Sequence, residues 1–165
     1  MNADLDFEQI LLEHAGMIRR IASSYEAMPS VAEELVQEIY LAVWRALPAY
    51  RGQASLRTFV ARVATNRAVT HVARAMKMPR SANLDDQLPS PDMGPEDRAL
   101  ARDRSQSLLA AMRSLPLALR QPALLAAEGL TLKEIADALG ITPNAVAVRM
   151  SRARNTLRKV LLEES

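Results

Sequence analysis

Residues 131–154 read TLKEIADALGITPNAVAVRMSRAR, and their reading decides the fold. They form two short helices joined by a tight turn. Thr131, followed three residues on by Glu134, makes a capping box in which each side chain satisfies a free amide at the helix start. Ile135, Ala136 and Leu139 give one apolar face at helical spacing. Gly140 ends this helix, because glycine takes the left-handed geometry of that position without a Cβ penalty. Thr142 caps the next helix, and Pro143 sits in its first turn, where a missing N–H costs nothing. Val146 and Met150 point inward. Asn144, Arg149, Ser151, Arg152 and Arg154 are left for the outward side. This is the layout of a helix-turn-helix, whose second helix suits a DNA major groove. The plain alternative is an αα-hairpin with a solvated basic face.

Working outward, the 165 residues fit one domain or two small ones. Hydrophobic residues make up 49% of the chain, enough for a real core. There is no cysteine, which excludes disulfides and thiolate metal sites and fits a reducing cytoplasm. No apolar run approaches the roughly 20 residues of a membrane span, and the acidic N-terminus lacks the order of a signal peptide. A cytoplasmic protein without membrane insertion is expected. Five glycines and two histidines leave little for a phosphate-cradling loop or a metal site. Spacing supports no Ser/His/Asp set, so no enzyme, no cofactor and no metal are expected.

The net charge is only +2, but it is segregated. Residues 1–50 hold three basic and eight acidic groups, while residues 51–80 hold seven basic groups and no acid. Residues 81–107 are acidic again, and 108–165 hold eight basic against five acidic groups. Two basic blocks separated by acidic ones suggest two contacts with a polyanion.

The first helix is expected over 6–25, with Phe7, Ile10, Leu11, His14, Ile18, Ile21 and Tyr25 on or near one stripe. Ser30 is expected to cap a second helix over 31–47. Leu35, Ile39, Val43 and Leu47 suffice for its packing, yet Val36, Tyr40, Leu41 and Trp44 widen the stripe beside a polar edge of Glu33, Glu34, Gln37 and Glu38. This helix is either the buried centre of a small bundle or a docking surface, where aromatic anchors are enriched. A loop over 48–55 turns at Gly52 and presents Tyr50 and Arg51, and Ser55 caps a third helix over 56–77. That helix buries Leu56, Phe59, Val60, Val63, Val69 and Val72. Its polar face, Arg57, Arg62, Thr65, Asn66, Arg67, Thr70, His71 and Arg74, carries no acid. Such a face can follow phosphates, while Thr65 and Asn66 can hydrogen-bond bases. Prolines 79, 89, 91 and 95 predict a flexible linker. Helices over 100–114 and 117–127 then lead into the helix-turn-helix, after which Leu157, Val160, Leu161 and Leu162 pack back on the small domain. The fold class expected is all-α: two small helical domains joined by a flexible linker.

The order of these parts closely resembles the extracytoplasmic-function (group 4) sigma factors of bacterial RNA polymerase. The resemblance rests on AEELVQEIYLAVWRAL, YRGQASLRTFVARVATNRAVTHVAR, PEDRALARD, SLP and RMSRARNTLRKVL, in that order. It implies a sigma-2-like domain over 5–80, a linker over 81–104 and a sigma-4-like domain over 105–162. It further implies that Glu34, Leu35, Gln37, Glu38, Tyr40, Leu41 and Trp44 dock on the polymerase clamp helices. Tyr50, Arg51, Gly52, Gln53, Ser55, Arg57, Arg62, Asn66 and Arg67 would melt and hold the minus-ten element. Thr131, Lys133, Asn144, Ala147, Val148, Arg149, Ser151 and Arg152 would read the minus-thirty-five element. The implied partners are core RNA polymerase, promoter DNA and an anti-sigma factor.

Ala147 and Val148 stand where the family often carries Lys or Arg and a small polar residue. This relaxes upstream reading or shifts it toward thymine methyls, since each lost bidentate base contact removes roughly 1–3 kcal/mol of discrimination. The reading expected is a promoter-specificity subunit. The alternatives are a stand-alone helix-turn-helix regulator and a sigma mimic that sequesters an inhibitory partner. The regulator would not need the basic 51–80 segment or the excess apolar surface of 31–47.

Overall fold

Asp6 sets the start of the first helix, its carboxylate accepting the Glu8 amide at 3.1 Å. In the computed structural model, which describes residues 6–77 and 96–163 and the side chains of 6–77 and 103–163, this helix is α1, Phe7–Tyr25. It is followed by α2, Pro29–Ala46, by a 3₁₀ turn at Leu47–Ala49, and by α3, Leu56–Lys77. After residues 78–95 come α4, Glu96–Ser114, α5, Leu117–Ala127, α6, Leu132–Leu139, and α7, Pro143–Glu163. No strand occurs among the described residues.

The first three helices pack pairwise into one bundle. Ile18 and Ile21 of α1 meet Leu35, Ile39 and Val43 of α2, all 1% exposed or less. The buried face of α3 is mostly small: Thr58, Val60, Ala61, Ala64, Thr65 and Ala68. Small side chains bring its backbone close to the large residues of its neighbours. Each fully buried Ile, Leu or Val adds roughly 1.5–3 kcal/mol of driving force. The second group, α4 to α7, closes around Leu115, Leu125, Ile135 and Val146. Helix α5 runs through buried Pro122 without ending there.

Four expectations are corrected. Helix α2 starts before Ser30, with Pro29 at its first turn and Met28 as N-cap, because the fixed φ of proline suits that position. Thr65 is 2% exposed and is closed to bases, since it faces the core among the alanines of α3. Helix α4 begins at Glu96, ahead of the expected start at 100 and within the expected linker of 81–104; the acids Glu96 and Asp97 favour a helix start. The rest of that linker lies outside the described residues. Leu161 and Leu162, expected to pack back, are 40% and 67% exposed, since the buried side of α7 is marked by Val146 and Ala153, well before them.

The two groups do not stand apart. Helix α1 touches α4, and α3 touches α5 and α6.

Candidate nucleic-acid interface

The capping box of α6 is complete. The Glu134 amide donates to the Thr131 hydroxyl, and the Thr131 amide donates to the Glu134 carboxylate. Gly140 has φ +68°, the left-handed turn between the two helices. The Ala145 amide donates to the Thr142 hydroxyl at 3.1 Å. These caps hold α7 at a set angle to α6, with Val146 and Ala153 buried on its inner side. On the outer side Asn144, Ala147, Val148, Ser151 and Arg152 are all exposed and form one stripe at i, i+3, i+4, i+7 and i+8. Thr131 and Lys133 are exposed at the start of α6. Arg149 is half-buried on the flank of the stripe.

The loop before α3 is tied to itself. The Tyr50 hydroxyl donates to the Ala54 carbonyl at 2.6 Å, and its ring lies 4.9 Å from that of Phe59. Tyr50 is therefore half-buried, not presented openly as expected. Arg51 donates to the Pro48 carbonyl, and its amide donates to Gln53. Gly52 turns the chain with φ +78°. The Ser55 hydroxyl accepts the Thr58 amide and so caps α3. Along α3, Arg62, Asn66 and Arg74 are exposed, and their side chains have no partner among the described residues. Arg67 is paired instead, 3.2 Å from Glu38.

On α2 the expected docking residues divide. Leu35 is wholly buried and belongs to the core, a correction that follows from its place on the stripe facing α1 and α3. Val36, expected to widen the outer surface, is likewise buried. Glu34, Gln37, Leu41 and Trp44 are exposed on one side at helical spacing. Glu38 and Tyr40 are half-buried at its edge.

Sequence reasoning missed a set of contacts that joins the two groups. Arg20 of α1 grips Glu128 through two donors, at 2.5 and 2.7 Å. Arg57 donates to the backbone carbonyl of Glu128. Ser55 donates to the Thr58 hydroxyl, which donates to the Glu134 carboxylate at 2.9 Å. Arg113 donates to the Ser23 carbonyl. The Arg120 guanidinium lies 5.2 Å from the centre of the Tyr25 ring. The partners are separated by between 71 and 108 residues in the three contacts made by Arg20, Arg57 and Thr58, beyond the reach of any local pattern.

The Thr131 amide, and after it the Thr58 hydroxyl, hold the Glu134 carboxyl below the ordinary carboxylate range. A carboxyl depressed in the folded state lends stability above its unfolded value and loses it as pH falls through the folded value. Wild type is therefore expected to exceed Glu134→Gln in urea midpoint at neutral pH. The gap should close on acidification below the carboxylate range; a gap that stays constant with pH would contradict this.

A two-part helical protein with a helix-turn-helix in one part and a basic, acid-free helix in the other belongs to the class that grips DNA at two places. The comparisons narrow the class. The profile of Sigma-70 region 2 matches residues 10–78, and that of Sigma-70 region 4 matches residues 105–157. The ECF RNA polymerase sigma factor ShbA of Streptomyces griseus is 33% identical, over 88% of this chain and 81% of its own length. The RNA polymerase sigma factor NccH of Alcaligenes xylosoxydans xylosoxydans is 28% identical, over 94% of this chain and 86% of its own. The ECF sigma factor SigE of Mycolicibacterium smegmatis is also 28% identical over 96% of this chain, which spans 63% of that relative's length. Among solved structures, the sigma factor RpoE of Bartonella quintana, in complex with the anti-sigma factor NepR, superposes with a TM-score of 0.70 at 22% identity, covering 94% of this chain and 96% of that one. The chain belongs to the extracytoplasmic-function sigma factors of the sigma-70 family. It is a non-enzymatic transcription initiation factor that binds core RNA polymerase and promoter DNA.

Proposed function

We propose a division of labour among the surfaces above. Residues 5–80 act as the sigma-2-like domain and 105–162 as the sigma-4-like domain. The outer side of α2, with Leu41 and Trp44 at its centre, docks on the polymerase clamp helices. The exposed stretch of α3 with Arg62 and Asn66, and the loop with Arg51 and Gln53, meet the minus-ten element. The outer stripe of α7 reads the minus-thirty-five element, with Lys133 and the start of α6 against the flanking phosphates. The observation that carries this is the α7 stripe: five consecutive outward positions, all exposed, beside a fully capped turn.

Arg57 and Thr58 of the minus-ten segment are held by Glu128 and Glu134 of the helix-turn-helix half. For both DNA surfaces to engage a promoter, these contacts part. No helix of the described residues is long and apolar enough to cross a membrane, and the cytoplasm is the place where polymerase and promoter are met. An anti-sigma factor, as is seen bound to the Bartonella quintana relative, is the regulator proposed.

Two substitutions test the assignment in holoenzyme on a promoter. Arg149→Ala is expected to weaken upstream binding by about tenfold or more, the worth of a lost base or phosphate contact. Asn66→Ala is expected to slow strand opening, read by permanganate reactivity of unpaired thymines, while upstream footprint protection persists. Opening at the wild-type rate in Asn66→Ala would remove α3 from the melting surface.

A further inference from the structure

We propose that Val148, with Ala147 beside it, reads the C5-methyl groups of thymine in the upstream element, so that part of this protein's promoter specificity is apolar. The proposal rests on the reading of α7 as the groove-entering helix.

Val146 and Ala153 mark the inner side of α7, at 0% and 1% exposure. At 3.6 residues per turn the direction opposite them runs between Val148 and Ser151, about 30° from each. Asn144 and Arg152 stand one turn before and one turn after Val148 on the same line. Val148 is thus the middle of the outward stripe, and it is 42% exposed. Nothing in the fold asks for valine there. It takes no part in the hydrophobic core cluster. A β-branched residue is also a weaker helix former than Ala, Arg or Lys. Lone exposed hydrophobes are ordinary on a protein surface, but this one occupies the centre of a face whose other members, apart from Ala147, are polar.

The major groove presents hydrogen-bonding atoms on every base pair and one apolar group, the thymine methyl. Valine in a helix is confined almost to one rotamer, so its two methyls form a rigid knob with little entropy left to lose on contact. Ala147 is short and lets the helix approach the groove floor. The pair offers no donor or acceptor. Placed against a guanine or adenine edge, it strips water from polar atoms and returns nothing, which is costly. Placed against thymine, it buries methyl on methyl. The expected element carries thymine between the bases contacted by Asn144 and Arg152.

The test uses holoenzyme made from the full chain and core polymerase. Duplexes are selected from a library randomised over the upstream element. Each selected thymine is then replaced singly by deoxyuridine, which removes the methyl alone. Selection is expected to fix thymine at one or two adjacent positions, and deoxyuridine there should weaken binding about fourfold, the worth of one buried methyl group. Val148→Ala should bind thymine and deoxyuridine duplexes almost equally, and Val148→Ile should keep the preference. Equal thymine preference in wild type and Val148→Ala, or selection without any thymine, overturns the proposal. Arg152→Ala on the same duplexes separates the two levels. If it loses affinity while wild type ignores the methyl, only the apolar reading fails. If it binds like wild type, α7 is not in the groove and both readings fall.

Discussion

Trp44→Ala is expected to weaken binding to core polymerase by about thirtyfold or more, with thermal unfolding unchanged. Trp44 is 57% exposed and Leu41 is 46% exposed, one turn apart on a side of α2 that no helix among the described residues covers. A large aromatic side chain held on a rigid helix is the kind of anchor whose truncation costs 2 kcal/mol or more at an interface. More than half of its area is left free by the fold, so melting followed by circular dichroism should move far less than for a core substitution. Leu35→Ala, nine positions earlier, should behave oppositely. Leu35 is fully buried, and its truncation is expected to cost about 2–5 kcal/mol of stability through lost burial and the cavity left. Titration of labelled protein with core polymerase measures the first effect, and urea unfolding the second. A Trp44→Ala protein that binds polymerase like wild type would leave the outer side of α2 without its assigned role.

The second large effect concerns the contact between the two halves. Removing Arg20 leaves the Glu128 carboxylate, 7% exposed, buried without its cation. Breaking a buried pair from one side costs more than the pair itself contributes, because a desolvated charge is left behind. Arg20 is itself 61% exposed, so solvent screens much of the attraction, and the expected cost is about 1–2 kcal/mol. The cheapest response is for the halves to separate and let water reach Glu128. Arg20→Ala should shift the population toward an open form by roughly tenfold, read as a larger radius of gyration in solution scattering. The double variant Arg20→Ala/Glu128→Ala leaves no orphaned charge and should lie nearer wild type than Arg20→Ala does. An Arg20→Ala protein as compact as wild type would show that Tyr25–Arg120 packing and the Thr58–Glu134 bond hold the halves without Arg20.

Several elements were legible because their causes are local. Thr131 with Glu134, and Gly140 before Pro143, specify the helix-turn-helix through bonds spanning three to five residues. The whole turn appears as read, down to the left-handed glycine. Helix α3 begins at Leu56, where Ser55 caps it. The missed start of α2 is a contest between two local signals, in which proline at the first turn prevailed over serine as cap. The burial of Thr65 was not legible, because a threonine on an alanine-rich face looks polar until a neighbour covers it. Nor does the local pattern show Tyr50 half-buried, since its bond to Ala54 and its contact with Phe59 depend on how the loop closes over α3.

By itself the sequence determined the helices, the caps of α3, α6 and α7, the segregated basic blocks and the family, since each rests on spacing within a few turns or on the order of motifs along the chain. Only the tertiary structure decided which apolar residues of α2 are core and which are surface, and that Val148 stands at the middle of the outward stripe of α7. It alone decided that Arg57 and Thr58 lie against Glu128 and Glu134. Those outcomes depend on groups brought together from distant parts of the chain, where burial and partner choice follow from packing and leave no mark in the local pattern.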